Sequence, residues 1–211
     1  MSKHVLIFDF GNVVAFFEYL KAFERFGARM GIAGELFRQR VNDGGFASLL
    51  GQFESGGMAP EQFATAVRAL SGLELTYPEF VEDFKDIFWL NEPVARLIKA
   101  LKSRGYALLL GSNTNVLHAT QYRRQFAPTI DLFDHLILSY EVGCLKPDAR
   151  FYRAAVAAAG VPAASCVFID DLLENVEGAR KAGLNGLQYV DAPSVIAGLQ
   201  KLGVEISAGE S

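Results

Sequence analysis

Cysteine is scarce in this 211-residue chain, which contains only Cys144 and Cys166. The two lie too far apart in sequence for a CxxC metal or redox site. Two cysteines in a chain of this size also cannot build the disulfide framework that stabilises small secreted domains. The sequence therefore indicates a protein of the reducing cytoplasm.

Long apolar runs are also missing. No stretch approaches the roughly 18 apolar residues that a membrane-spanning helix requires. The run Val5–Phe8 near the N-terminus is cut by Asp9 after four residues, which is short of the roughly 7–15 residues in the hydrophobic region of a signal peptide. We therefore predict a cytoplasmic protein that does not associate with a membrane.

Positive charge and nucleotide-binding motifs are lacking too. The formal net charge is −4, so the chain has no basic field to attract nucleic acid. Neither GxGxxG nor GxxxxGK[ST] occurs, which argues against a nucleotide-binding domain. The three histidines are scattered without metal-ligand spacing. His118 follows "LLLGSNTN" closely enough to line a pocket, but a position on a helix surface is the favoured prediction. Nothing demands more than a monomer or a weak homodimer.

Short, continuous apolar runs are present instead, each bounded by turn or charged residues. Continuous runs of strand length predict strands that are covered on both faces, as in a parallel sheet between helices. The five runs are Val5–Phe8, Ala107–Leu110, Leu136–Leu138, Val167–Ile169 and Leu187–Val190.

Helical patterns alternate with these runs from residue 91 onward. "NEPVARLIKALKSRG" has apolar residues at helical spacing and Asn91 as a predicted N-cap, whereas "KPDARFYRAAVAAAG" has Asp148 as N-cap and Gly160 after its end. "ENVEGARKAG" repeats the plan and closes at Gly183. Alternating strands and helices predict an α/β fold with a doubly wound parallel sheet.

Residues 15–90 interrupt this alternation. They lack a good strand run yet contain eleven of the seventeen phenylalanines, which predicts a small second core of aromatic residues. "APEQFATAVRALSG" and "TYPEFVEDFKDIFWL" read as amphipathic helices, and the Gly-rich "DGGFASLLGQFESGG" as a loop that either closes over a substrate or joins two helices. We predict a core domain of residues 1–14 and 91–211, a helical insertion at 15–90, and a frayed tail, "SAGES".

Polar side chains follow four of the predicted strands. In a doubly wound sheet, ligands bind beyond the carboxyl ends of the strands, so we expect these side chains to meet at one edge. Each alone has an ordinary explanation as a turn, cap or surface residue, but together and in this order they favour a site. They are Asp9, Ser112, Asn113, Lys146, Asp170 and Asp171.

The residue types at this edge narrow the chemistry. Three converging carboxylates repel one another unless a cation lies between them, and oxygen ligands with retained water suit Mg²⁺. A cation, a lysine and a hydroxyl around one point suit a phosphate group. A carboxylate beside that phosphorus can act as a nucleophile and form an aspartyl-phosphate.

Four motifs in this order resemble the haloacid dehalogenase superfamily, in particular its magnesium-dependent phosphatases with a helical cap. "FDFGNVV" is similar to the first family motif, "LLLGSNTN" to the second, "LKPD" to the third and "FIDDLLENVEGA" to the fourth. The resemblance covers nearly the whole chain. It implies a Rossmann-like core, a cap between the first two motifs, and a small phosphorylated metabolite as substrate.

The resemblance also implies roles for single residues. The leading Asp of the first motif is the family nucleophile, which is Asp9 here, and Mg²⁺ would be held by Asp9, the Gly11 carbonyl and Asp171, with Asp170 as neighbour or second ligand. Ser112, Asn113 and Lys146 would bind the phosphate, and Lys146 would also take part in catalysis. Asn175, one turn after Asp171, belongs either beside the metal ligands or on an ordinary helix surface.

One departure from the family pattern concerns proton transfer. Most family phosphatases have a second Asp two residues after the nucleophile as general acid and base, whereas this chain has Gly11. The protein is then either slow or inactive, or it acts on esters whose leaving group needs little protonation, such as anomeric or acyl phosphates. We favour the second interpretation. Among relatives, the motifs look most like those of phosphatases acting on sugar phosphates such as glucose 1-phosphate.

Two other functions remain open at this stage. A 2-haloacid dehalogenase shares the nucleophile, the Ser-Asn pair and the lysine, although Asp170 and Asp171 speak against it because that reaction needs no magnesium. A catalytically weak binding protein on the same scaffold is the other alternative, because Gly11 cannot transfer a proton.

Overall fold

A computed structural model describes residues 4–206 of the chain; the predicted frayed tail lies outside the described residues. Five parallel strands form the central sheet in the order β5-β4-β1-β6-β7. They are β1 (Val5–Phe8), β4 (Ala107–Ser112), β5 (His135–Leu138), β6 (Cys166–Asp170) and β7 (Asn185–Gln188). The predicted doubly wound α/β fold is confirmed.

Helices occupy the connections. Between β1 and β4 lie α1 (Leu20–Arg29), α2 (Gly34–Asp43), α3 (Phe46–Glu54), α4 (Pro60–Ser71), α5 (Tyr77–Lys85) and α6 (Glu92–Ser103). The remaining helices are α7 (Val116–Gln125), α8 (Ala127–Ile130), α9 (Ser139–Val142), α10 (Ala149–Ala159), α11 (Leu173–Lys181) and α12 (Ala192–Lys201), with a 3-10 turn at Ala163–Ser165. Among residues 4–206, none of these helices combines the length and apolar character needed to span a bilayer.

The central strand β1 shows why the sheet is buried on both faces. Its side chains alternate, so that Val5 and Ile7 join a cluster with α10 and α11, while Leu6 and Phe8 join a second cluster with α6 and α12. All four side chains are at most 5% exposed. This explains the continuous apolar run, and it leaves Asp9 as the first polar residue at the carboxyl end of the strand.

The aromatic residues between positions 15 and 90 pack into the predicted core, but that core is not separate. Phe26 stacks on Phe80 at 5.1 Å and Phe53 on Phe63 at 4.5 Å between ring centroids. This packing continues into the cluster beneath α6 and α12. The prediction of a distinct second core is therefore wrong, because helices that sit on a sheet edge gain burial by sharing its apolar face.

A two-stranded antiparallel sheet joins the segments that lead into and out of α1–α5. It pairs β2 (Ala15–Phe17) with β3 (Phe88–Leu90), and Phe16 lies opposite Trp89. The sequence interpretation of residues 15–90 as lacking strands is wrong here, and so is the extension of α5 through "IFWL". A strand of three residues is too short to show the alternation that predicts a strand, and these two strands are far apart in sequence.

Three further expectations need correction. Residues 46–54 of the Gly-rich segment form helix α3 instead of a loop. The last strand runs from Asn185 to Gln188, two residues earlier than predicted, because Val167 and Asp170 pair with those residues. Asn91 does not cap α6 with its side chain; its Nδ2 instead donates to the Val13 carbonyl at 2.8 Å.

Other local predictions are confirmed. The Asp148 side chain accepts the Arg150 N–H at the start of α10, and Gly160 and Gly183 follow their helices with positive φ. Cys144 and Cys166 are both buried and free.

Candidate active site

Three strand ends lie side by side because β1 is paired on both edges in parallel register. Phe8 is level with Leu110 of β4 and with Ile169 of β6. The Asp9 N–H continues the pairing by donating to the Ile169 carbonyl at 2.8 Å. Asp9, Ser112 and Asp170 are thereby brought to one edge of the sheet, as the sequence predicts.

Lys146 lies between two of the carboxylates. Its Nζ is 2.8 Å from Asp9 Oδ1 and 2.7 Å from Asp170 Oδ2, and it donates to the Gly111 carbonyl at 3.0 Å. The Lys146 and Asp170 side chains are at most 1% exposed, and that of Asp9 is 10% exposed. Burial alone opposes the charge on Lys146, but Asp9 and Asp170 outweigh it and raise the pKa of the ammonium group.

Asp170 is saturated by neighbours. Besides Lys146, it accepts hydrogen bonds on Oδ1 from Leu172 N at 2.9 Å and Asn175 Nδ2 at 3.0 Å. Asn175 is 2% exposed, so a plain helix-surface role for it is wrong. Asp170 thus has less capacity for a metal than its neighbour Asp171, and its contacts make it the partner that holds Lys146.

Asp9, Asp170 and Asp171 together form an acidic cluster. One carboxylate oxygen from each lies within 4.8 Å of the others. Asp171 is partly exposed and accepts one hydrogen bond, from Asn12 Nδ2 at 3.1 Å. An all-oxygen set at this spacing suits a hard divalent cation.

The electrostatics of Asp9 point the same way. Burial, opposed by Lys146 and assisted by the neighbouring carboxylates, raises the pKa of Asp9 to about 7. An added positive charge beside Asp9 and Asp171 would favour the ionised form that a nucleophile requires. The residues present therefore fit a divalent cation.

Two residues of the second motif, Asn113 and Ser112, also contribute to the site. Asn113 Oδ1 accepts the Lys146 N–H at 2.8 Å, and its Nδ2 donates to the Lys146 carbonyl at 3.2 Å. Both polar atoms of the Asn113 side chain are engaged, so this residue holds the lysine segment in place. The Ser112 side chain is buried at the carboxyl end of β4 and lines the same pocket.

These residues form the floor of a pocket of about 380 Å³, a size typical of small-molecule sites. The floor comprises Asp9, Gly11, Asn12, Ser112, Asn113, Lys146 and Asp171. The roof comprises Phe17, Tyr19, Leu50, Glu54, Ile87 and Phe88. Every roof residue comes from the segments between β1 and α6, so the insertion covers the sheet edge.

His118 lies in the pocket wall rather than on a helix surface, which corrects the sequence prediction. It is 3% exposed and stacks on Phe84 at 4.4 Å between ring centroids. Nδ1 lies 3.0 Å from Asn115 Nδ2, which can only donate, and Nε2 lies 3.3 Å from the Phe84 carbonyl, which can only accept. The ring is therefore the neutral tautomer with its proton on Nε2.

His118 should make the fold sensitive to acid. Burial lowers its pKa to about 3 from an ordinary value of 6.5. The unfolded chain then binds a proton that the folded chain rejects, so the contribution is complete above pH 6.5 and is lost as pH falls toward 3. On acidification we expect the unfolding free energy of His118→Gln to fall less steeply than that of the wild type. The two slopes should differ by up to about 1.4 kcal/mol per pH unit.

Urea unfolding at pH 7, 6, 5 and 4 measures this difference. The matched control is His135→Gln, because His135 is exposed at the start of β5. Parallel acid limbs for His118→Gln and the wild type would contradict a buried neutral imidazole.

Several pocket residues were missed by sequence reasoning. Asn12 carries a partial signal, because a left-handed φ of 57° after Gly11 suits Asn. Tyr19, Glu54 and Phe17 carry none, because a roof residue on an insertion shows no local pattern for what lies across a cavity.

Comparison with known proteins adds a family match. Residues 3–183 match the family model of the haloacid dehalogenase-like hydrolases. A phosphatase from Mycobacterium tuberculosis is 30% identical over 188 residues, covering 87% of this chain and 86% of its own. A D-ribitol-5-phosphate phosphatase from Bacteroides thetaiotaomicron is 25% identical over 195 residues, covering 89% and 92%.

A similar fold is also known from crystallography. An HAD family enzyme from Bacteroides thetaiotaomicron, in complex with magnesium and inorganic phosphate, superimposes with a TM-score of 0.75 at 23% identity. The match covers 89% of this chain and 94% of that one. At this identity the likeness establishes the shared fold.

Proposed function

The chain belongs to the haloacid dehalogenase-like hydrolase family, and from that premise we propose that it is a magnesium-dependent phosphatase that hydrolyses phosphomonoesters of small metabolites through an aspartyl-phosphate on Asp9. The family predicted from the four motifs is confirmed by this membership. The single observation that carries the activity is the buried Lys146 ammonium, held between Asp9 and Asp170 at the floor of the pocket.

Asp9 is arranged for attack on phosphorus. Oδ1 accepts the Phe10 N–H at 2.7 Å and lies 2.8 Å from Lys146 Nζ. Both contacts fix the carboxylate through the same oxygen, which leaves Oδ2 as the attacking atom. A carboxylate held rigidly in this way enters the reaction without reorganising.

The other floor residues neutralise the phosphoryl oxygens. The Lys146 ammonium and the Ser112 hydroxyl supply donors from two different segments, the one that follows α9 and the end of β4. Asn113 holds the lysine segment in place. Mg²⁺ would be held by Asp9, the Gly11 carbonyl and Asp171, and when bound it supplies positive charge beside the transferring group. Asp170 acts through Lys146 and Asn175.

We propose sugar phosphates, glucose 1-phosphate in particular, as the substrate class. The motifs support this assignment, and the D-ribitol-5-phosphate phosphatase named above is a relative that acts on a phosphorylated sugar alcohol. A pocket of about 380 Å³ accommodates a phosphate with a small ring. The largely apolar roof contacts the part of the substrate that leaves.

A panel of phosphate esters tests both the phosphatase activity and the sugar phosphate substrate class. With magnesium, we expect glucose 1-phosphate to be hydrolysed faster than glucose 6-phosphate, because the anomeric oxygen leaves with less help from a proton. With EDTA, phosphate release from every ester should fall by about 10²-fold or more, since charge neutralisation is the largest contribution to phosphoryl transfer.

The comparison esters separate the outcomes. A long-chain alkyl phosphate belongs in the panel, because the roof is mostly apolar, and its preferred hydrolysis would overturn the sugar assignment alone. Halide release from 2-haloacids that persists in EDTA would instead support the dehalogenase alternative, which needs no metal. Absence of hydrolysis of every ester would contradict the phosphatase proposal.

A further inference from the structure

The pocket floor has no acidic side chain at the position that protonates the leaving group in most family phosphatases. Gly11 stands where most family phosphatases carry the acid, and the space beside it is filled. A Cβ at position 11 would lie 2.8 Å from Cε1 of Phe17, whose ring packs between Tyr19 and Phe88. This chain therefore leaves no room for an acidic side chain at that position without moving the roof.

The geometry of phosphoryl transfer indicates where a replacement must lie. In an in-line displacement, the leaving oxygen departs on the side of phosphorus opposite the attacking oxygen. Asp9 attacks from the floor, so the leaving oxygen faces the roof. Within the part of the chain that the structure describes, Glu54 is the only carboxylic acid among the roof residues of the pocket.

Glu54 is the last residue of α3, and its backbone is fixed to the core. Its carbonyl lies 2.6 Å from Ser139 Oγ, and that hydroxyl accepts the Thr114 N–H at 2.9 Å. Thr114 follows the second motif directly, so one hydroxyl ties the end of α3 to the loop that carries Ser112 and Asn113. The position of Glu54 relative to the floor is therefore set by a direct contact.

A second close approach holds the turn after α3. Gly56 has a φ of +74°, and a Cβ there would lie 2.3 Å from the Tyr140 carbonyl oxygen. Only glycine permits the two backbones to approach this closely. The end of α3 is thereby held against α9, and Glu54 at that end lines the pocket.

We propose that Glu54 is the general acid and base of this enzyme, acting on the leaving group from the roof in place of the missing floor acid. This assignment rests on the proposed phosphatase function. In the first step, the bond from Asp9 Oδ2 to phosphorus forms, the ester P–O bond breaks, and the Glu54 proton passes to the departing oxygen to give the alcohol.

The second step restores both groups. The Glu54 carboxylate takes a proton from water as the water oxygen bonds to phosphorus and the bond between phosphorus and Asp9 breaks. Inorganic phosphate leaves, Asp9 is a free carboxylate again, and Glu54 is protonated for the next cycle. Protons and electron pairs balance without a further reactant.

The surroundings of Glu54 suit this exchange. Burial raises the pKa of Glu54 to about 7, although a long hydrogen bond of 3.5 Å from the Tyr19 hydroxyl lowers it slightly. An acid with a pKa near the working pH both donates and accepts protons efficiently. His118 shares the wall of the pocket but stays neutral, so it adds no charge.

Three charged groups on the elements packed against α3 are engaged elsewhere. Arg40 of α2 donates to the Ser71 carbonyl, Arg68 of α4 donates to the Leu75 carbonyl, and Glu141 of α9 accepts from the Tyr140 hydroxyl. Tyr19 is thus the titratable partner that the structure gives the Glu54 carboxyl. A change in the pH profile on mutating Glu54 can therefore be assigned to its own carboxyl.

The test compares leaving groups in the Glu54→Gln variant of the full chain with magnesium. For glucose 6-phosphate, whose alkoxide needs a proton, we expect kcat to fall by about 10²–10⁴-fold. For p-nitrophenyl phosphate, whose phenolate leaves without one, kcat should change by less than about threefold. The ratio of glucose 1-phosphate to glucose 6-phosphate hydrolysis should widen accordingly.

The pH profile supplies a readout that a purely structural role would not change. The wild-type kcat for glucose 6-phosphate should decline above pH 7 as the acid ionises, and Glu54→Gln should lack that limb. Glu61→Gln, an exposed carboxyl at the start of α4, is the matched control and should leave both readouts unchanged.

The outcomes distinguish the two proposals. Equal losses on both esters, or no loss on either, would overturn the role of Glu54 while leaving the phosphatase function intact. A wild type that hydrolyses neither ester would overturn the phosphatase function itself. Retained thermal stability of Glu54→Gln would show that a lower rate is not a folding defect.

Discussion

Replacement of Asp9 by Asn is expected to abolish phosphate release, lowering kcat by about 10³-fold or more. An amide oxygen keeps the shape of the carboxylate and can still accept the Phe10 N–H, but it cannot attack phosphorus. The loss should be the same for activated and unactivated esters, because it affects bond formation to phosphorus and not departure of the alcohol. This uniform loss contrasts with the leaving-group dependence expected of Glu54→Gln.

The same substitution should not cost stability. Burial and neighbouring carboxylates disfavour the ionised form of Asp9 and raise its pKa to about 7. At pH 8 the Asp9 carboxyl is ionised in both states, but its ionisation is less favourable in the folded chain than in the unfolded chain. Removing this charge therefore leaves the unfolding free energy unchanged or higher. An inactive variant with an unchanged or higher Tm is the expected combination, as at other functional sites that trade stability for activity.

Phosphate release and thermal melting measure the two effects on one preparation. Asp131→Asn, at an exposed position after α8, is the control and should keep full activity. Mass spectrometry of wild-type protein quenched in acid during turnover should find the added phosphoryl group on the peptide that contains Asp9. Unimpaired turnover by Asp9→Asn would contradict both the nucleophile and the enzyme assignment.

The floor of the site could be predicted from sequence because, in a parallel sheet, the position of a residue relative to its own strand decides at which edge it lies. Each strand is predicted by an apolar run, and the first polar residue after each run lies at the same edge of the sheet. Asp9 after β1 and Asp170 at the end of β6 needed only the topology rule to be placed together. Lys146 lies farther along the chain, in the segment that follows β5 and α9, and the same rule placed it at this edge as the polar residue after the third predicted strand.

The roof could not be predicted in the same way, since it depends on how inserted helices pack. Glu54 is one polar residue among many on the insertion, and nothing nearby in sequence says that it faces Asp9. The sheet of β2 and β3 pairs Ala15 with Leu90, and no sequence pattern connects residues so far apart.

Helix α3 was predicted as a loop although its sequence contains a helical pattern. Its apolar residues Phe46, Leu49, Leu50 and Phe53 follow the i, i+3, i+4, i+7 spacing of an amphipathic helix. The glycines around and within the segment outweighed that pattern in the sequence interpretation. Gly51 costs the helix about 1 kcal/mol relative to Ala, which burial of Phe46 and Phe53 offsets.

Replacement of Lys146 by Met is expected to remove both activity and stability. The ammonium lies within 2.8 Å of two buried carboxylates. Met keeps much of the side-chain length but leaves Asp9 and Asp170 facing each other without a cation. Removing one partner of a buried charge pair typically costs about 3–5 kcal/mol, and losing the donor to the phosphate should lower kcat by about 10²-fold or more.

A second substitution separates these two roles of the lysine. In Lys146→Met combined with Asp170→Asn, one of the stranded carboxylates is neutral, and its side-chain oxygen can still accept from Leu172 N and Asn175 Nδ2. Unfolding free energy measured in urea should therefore recover by at least about 1–2 kcal/mol relative to the single variant. Activity should not recover, because no cationic side chain remains to meet the phosphate. Recovery of both would mean that Lys146 serves only to neutralise Asp170, and a single variant as stable as the wild type would mean that the carboxylates do not need the lysine at all.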